Sequence, residues 1–201
     1  MKTGKRSHNV TLLGLLTAIL MVLSMTPLGY LNIGPLAISF NMIPVAVGAV
    51  ALGPVGGAVL GAVFGMTSFL QCLGIGGSSA MGVALFEISP LFAFLQRFVP
   101  RVLTGFLVGL IYKGVRKVAN VHIAGGIAGF CAALLNTILF MGALFLLFGN
   151  TQYLTDTMKG QSFLVFAVTF VGINAVAEML VSTVVTGALC VALKRAQLLR
   201  G

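Results

Sequence analysis

The chain alternates long apolar stretches with short polar or irregular ones from one end to the other. Apolar runs occupy Val10–Thr26, Ile43–Leu52, Val55–Cys72, Leu91–Tyr112, Ile123–Phe148 and Phe163–Leu193. A helix needs about 20 apolar residues to cross a bilayer. These runs therefore predict an all-α integral membrane protein, with spans over 10–27, 41–53, 55–72, 91–112, 123–148 and 163–193 in a single membrane domain, 1–201. The second run is too short to cross unaided. It must begin inside the preceding stretch "YLNIGPLAISFNMIP", Tyr30–Pro44, or tilt, or meet a thinned bilayer.

Composition agrees with this pattern. Of 201 residues, 59% are apolar and 7% charged, against about a quarter charged in a soluble domain. The net charge of +9 comes from twelve Lys and Arg against three acids. Nine of the twelve form three clusters, Lys2/Lys5/Arg6, Lys113/Arg116/Lys117 and Lys194/Arg195/Arg200, each flanking an apolar run. Basic flanks mark the cytoplasmic side, so a six-helix bundle with both termini cytoplasmic satisfies all three clusters, whereas five spans would separate the ends. No basic segment interleaved with aromatics offers a nucleic-acid surface. The basic, apolar start resembles a signal peptide, but it lacks an A-x-A-like site and carries Pro27 where cleavage would fall, so an uncleaved first helix is expected. Cys72, Cys131 and Cys190 lack ligand spacing and read as buried small residues.

On that topology the long segments Leu28–Met42, Leu73–Pro90 and Gly149–Ser162 all lie outside, and the inside turns are the tight "LGPVGG" and the basic "KGVRKVANVH". Non-helical backbone near membrane depth is tolerated where protein buries it or where it lines a wet cavity. The outer loops are thus candidate walls and lid of a site. Gly53, Gly57, Gly61 and Gly65 form a four-residue ladder, echoed at Gly14/Ala18, Gly105/Gly109 and Gly125/Gly129. Such small-xxx-small faces let helices approach closely.

Polar groups within the runs are few. Those singled out are Arg97 and Arg101 in the fourth, Asn136 in the fifth, and Asn174 and Glu178 in the sixth. At about 1.5 Å rise per residue, Arg101, Asn136, Asn174 and Glu178 lie roughly 15, 18, 16 and 22 Å from the outer ends of their spans. Side chains from three helices thus share a level, and Pro100 removes a helical hydrogen bond beside it. An internal Arg101–Glu178 ion pair would account for two of these groups. That pair leaves Arg97, Asn136 and Asn174 unexplained, and a bound carboxylate with amide and hydroxyl groups would satisfy these surplus donors, an arginine fork being suited to carboxylates. No H-E-x-x-H, paired-aspartate or Walker pattern is present, and "LGIGGSSAMG" has no following Lys. The remaining acids and histidines, Glu87, Asp156, His8 and His122, are scattered, so neither catalysis, a metal, a cofactor nor ATP hydrolysis is expected of this chain.

With those residues in place, the chain resembles the substrate-binding S components of energy-coupling factor (ECF) vitamin transporters. The run "TPLGYLNIGPLAISFNMIPVAVGAVALGPVGGAVLGAVFG", with "PRVLTG" and "LLNT", resembles the branch that includes pantothenate carriers. The resemblance implies a non-enzymatic subunit of the prokaryotic cell membrane that binds a small vitamin from outside. Its partners would be a transmembrane coupling subunit and two ATP-binding cassette ATPases that supply the energy. The partner-facing pattern of the first helix falls on Gly14 and Ala18, with glycine in place of the family's first alanine. Substrate contacts are expected at Arg97 or Arg101 for the anionic end, at Asn136 and Asn174 for polar groups, and at Glu178 as an orienting acid. Asn41, Ser78 and Ser79 belong to the gating loops. Pantothenate fits these groups, and another carboxylated vitamin would too. A membrane scaffold with a structural polar cluster is the alternative from a different class.

Overall fold

The computed structural model describes residues 2–26, 29–33, 36–76, 79–196 and 199, with backbone alone for 2–6 and 30–38. Seven helices and one hairpin follow in order: α1 Lys2–Met25, β1 Tyr30–Ile33, β2 Leu36–Ser39, α2 Met42–Leu70, α3 Ala80–Ile88, α4 Pro90–Val115, α5 Val121–Phe148, α6 Gln152–Met158 and α7 Phe163–Arg195. Five of the helices are long and apolar enough to cross a membrane. Much apolar surface points outward, with Leu164 and Ile173 each 75% exposed. That is the expected exterior of a protein whose solvent is lipid.

The helix starts are written locally. Ser79, Ser89, Asn120 and Thr151 cap α3, α4, α5 and α6, each accepting a hydrogen bond from the backbone N–H three residues on. This satisfies one of the orphan donors at a helix start. Pro90 follows Ser89 at the first position of α4, where its missing N–H costs nothing.

The two short expected spans, 41–53 and 55–72, are the two halves of α2. Gly53 has φ 81° and ψ −171°, and Pro54 follows it. Glycine ends one helix in a region closed to other residues, and proline opens the next. The break reverses the chain: a Cβ on Gly57 would lie 2.7 Å from Cβ of Ala49, and one on Gly48 would strike Leu60. In an unbroken helix, residues 48 and 60 would be about 18 Å apart.

The second half of α2 crosses α4 at backbone contact. A Cβ on Gly57 would collide with the Gly105 carbonyl, and one on Gly105 with the Gly57 carbonyl. Gly61 meets the Arg101 backbone, Gly65 meets Phe98, and Gly109 meets Pro54. The ladder thus works within the bundle. Gly125 and Gly129 serve α5 in the same way, closing on Gly187, Cys190 and Ser182 of α7. Around these crossings the core gathers Val108, Tyr112, Ala124, Ala128 and Ala132 on one side and Leu12, Leu16, Leu20, Val45, Leu60 and Phe64 on the other.

One expectation needs correction. The outer segments 28–42, 73–90 and 149–162 are not irregular throughout: they hold the antiparallel β1–β2 hairpin, in which Leu31 pairs with Ile38, and the helices α3 and α6. The cause is local chemistry that a hydropathy pattern does not register, namely serine and threonine caps and a short paired ribbon. The fold is therefore all-α with a two-stranded hairpin between α1 and α2.

Candidate substrate site

Arg97 and Arg101 are one turn apart in the first half of α4, 7% and 5% exposed. Their guanidinium groups share one aromatic face. Cζ of Arg97 lies 5.3 Å and Cζ of Arg101 5.0 Å from the Phe140 ring centroid of α5, and Arg101 also lies 4.5 Å from that of Phe64 in α2. Ring quadrupoles attract cations, more strongly where water is excluded. Arg97 donates to the Ser68 hydroxyl at 3.3 Å and the Ser79 hydroxyl at 3.2 Å, and Arg101 to the Arg97 carbonyl at 2.7 Å. Phe64 and Ser68 are four apart on α2, as are Asn136 and Phe140 on α5, so each pair shares a helix face.

From α7, Glu178 completes the layer. Its Oε1 accepts the Ser39 backbone N–H at 2.8 Å, and the carboxylate lies within electrostatic reach of Arg101. Glu178 is about 22 Å along α7 from Phe163. The end of the hairpin therefore descends beside α7 to the arginine level instead of resting on top of the bundle. Asn174, one turn outward on α7, is half-buried.

A chain of hydrogen bonds fixes this hairpin. The Asn41 backbone N–H and Nδ2 both donate to the Ser39 hydroxyl, at 3.4 and 3.3 Å. Ser24 of α1 donates to Asn41 Oδ1 at 3.3 Å, and Gln71 Nε2 donates to the Ser24 carbonyl at 2.7 Å. Asn41 is fully buried. It ties the hairpin to α1 rather than facing outward as a loop residue would.

Of the residues singled out by sequence, Arg97, Arg101, Ser79 and Glu178 are brought into linked contacts, and Asn41 joins them through Ser39. Asn136 stands one turn from the shared ring, its Oδ1 buried without a hydrogen-bond partner. Ser78 lies outside the described residues. Gly14 and Ala18 are exposed on α1, and a Cβ added to Gly14 would meet nothing within 4 Å. Phe64, Phe140, Ser68, Ser24 and Ser39 carry no distinguishing signal as single letters. Gln96 could have been found as an amide in an apolar run, directly before Arg97.

Chemically, this layer holds two buried cations and one acid. The other two acids, Glu87 and Asp156, are exposed on α3 and α6. Nothing here is arranged as a nucleophile with its base, and among the described residues no three His, Cys, Asp or Glu converge on a metal position. Two guanidinium groups in one layer suit an anion.

The ECF transporter substrate-specific component family matches residues 8–190. The chain is also 29% identical over 206 residues to the pantothenic acid transporter PanT of Lactococcus lactis subsp. cremoris (strain MG1363), a match covering 98% of each protein.

Proposed function

Because the chain belongs to the ECF transporter substrate-specific components, a family of multi-pass cell-membrane proteins, we propose that it captures pantothenate from outside the cell and performs no chemistry on it. One observation carries the reading: two buried arginines share the Phe140 ring with a single acid in their layer. A ligand carboxylate suits this pair, because the planar guanidinium fork matches carboxylate geometry. The relative's name supports the vitamin, since pantothenate offers one carboxylate with an amide and hydroxyls.

In this proposal Arg97 and Arg101 hold the carboxylate, Asn136 and Asn174 face polar groups of the ligand, and Glu178 orients Arg101. Asn41, Ser78 and Ser79 act in the outer loops. The reversal at Gly53 divides α2 into two membrane passes, giving six within one membrane domain. Both termini and the Lys113/Arg116/Lys117 turn then lie in the cytoplasm, in keeping with their basic charge. Transport is driven by ATP hydrolysis on two partner ATPases joined through a transmembrane coupling subunit, which docks on the Gly14/Ala18 face of α1.

Thermal unfolding of the purified protein against a panel of B vitamins tests the substrate. A saturable rise in Tm with pantothenate is expected, because a ligand that binds the folded state stabilises it by mass action. A rise with a different vitamin alone would reassign the substrate. Mass spectrometry of small molecules released from the purified protein checks the same point without a chosen panel.

A further inference from the structure

Gln96 is fully buried on α4, and neither Oε1 nor Nε2 has a hydrogen-bond partner. An amide in this state is expensive, since it has given up its hydrogen bonds to water and gained none in return. Native proteins therefore keep few of them without a use. A third polar atom belongs to the same residue. Pro100 stands four positions on and has no N–H, so the helical hydrogen bond to the Gln96 carbonyl is missing.

Register places these groups beside the arginine layer. Ala93 and Gln96 are three apart and share a face of α4. Ala93 packs in the cluster of Met141, Leu144 and Phe148 from α5. One turn deeper on that face, Gln96 comes near the level of Phe140, against which both guanidinium groups lie, and Asn136, whose Oδ1 is likewise unpartnered, stands a turn further along α5. Orphan amide atoms on α4 and α5 thus flank a pair of arginines.

Resting on the substrate reading above, we propose that Gln96 is a specificity-determining residue that reads a secondary amide of the ligand. Nε2 donates to the ligand's amide carbonyl, and Oε1 accepts its N–H. The freed Gln96 carbonyl is a further acceptor for a ligand hydroxyl. The arginines select the charge, and Gln96 selects the group beyond it. A site built to pair with an N–H discriminates strongly against an analogue lacking one, because its own acceptor is then left buried and unpaired.

Isothermal titration of the intact detergent-purified protein tests this, using pantothenate and its ester isostere, in which oxygen replaces the amide N–H. The wild type should bind the ester at least about tenfold more weakly. Gln96→Met, similar in length but without polar atoms, should weaken pantothenate by about tenfold or more and nearly abolish the preference for amide over ester. Its unliganded Tm should equal or exceed that of the wild type, because an orphan amide has been removed. A structural glutamine predicts the reverse: lower Tm with unchanged affinity. Should Gln96→Met fail to fold, Gln96→Asn, which withdraws the amide by one methylene, carries the same comparison. Unchanged pantothenate affinity and unchanged ester discrimination in the variant would overturn the role of Gln96 while leaving the substrate reading intact. Absence of pantothenate binding in the wild type would overturn both.

Discussion

Helices α1 and α4 both pack on α2, and they do so with opposite kinds of residue. α1 uses large side chains, Leu12, Leu16 and Leu20, which join Val45, Val47, Leu60 and Phe64. Its small residues Gly14 and Ala18 are left facing outward. α4 uses its small residues for the contact, Gly105 and Gly109 meeting Gly57 and Pro54 at backbone distance. Its long residues Arg97 and Arg101 are left to reach across the interior to Phe64 and Phe140. The same small-xxx-small spacing therefore closes a bundle in one place and offers an open face in another. What separates the two is which partner already occupies the face.

The comparison is broken most severely at its tightest point. Gly57→Val would push a branched side chain into the Gly105 carbonyl, where neither backbone can yield. Overpacking of this kind costs about 3 kcal/mol or more, and a large fall in Tm, or no folded protein, is expected from thermal unfolding in detergent. Next comes the interior product of that crossing. Arg101→Ala should raise the Kd of a carboxylated vitamin by about 100-fold, in line with the loss of one partner of a buried charged pair, while an uncharged analogue loses far less. Equal losses for both ligands would mark Arg101 as a fastener of helices instead.

The open face gives the sharpest contrast. Gly14→Leu should leave Tm and vitamin affinity within experimental error, because nothing lies within 4 Å of the new Cβ. It should nonetheless reduce co-purification with the coupling subunit and ATPases by about tenfold, since close helix approach depends on small residues. If co-purification survives, the docking face lies elsewhere. The smallest effect is expected at the hairpin. Asn41→Ala removes the two hydrogen bonds to Ser24 and Ser39, each 3.3 Å long, and at about 0.5 kcal/mol net for each the ligand should dissociate about fivefold faster in stopped-flow measurements.

Much of this protein is legible along the chain. The apolar runs place the long helices, Gly53–Pro54 places the break between 41–53 and 55–72, and the arginines mark themselves by being charged in an apolar run. These features are local: hydrophobic length, backbone freedom and the cost of burying charge act on each segment separately. The partners of those groups are not local. Nothing in the sequence distinguishes Phe140 and Phe64 from the other thirteen phenylalanines, yet the bundle brings these two rings to the guanidinium groups. Likewise Glu178 suggested an arginine partner, and it also holds the Ser39 backbone N–H of a hairpin 139 residues away in the chain. The sequence alone determined which residues had to avoid lipid and water alike. Which of them meet was decided by helix crossings at Gly57 and Gly105, because contact between distant segments depends on how closely their backbones can approach.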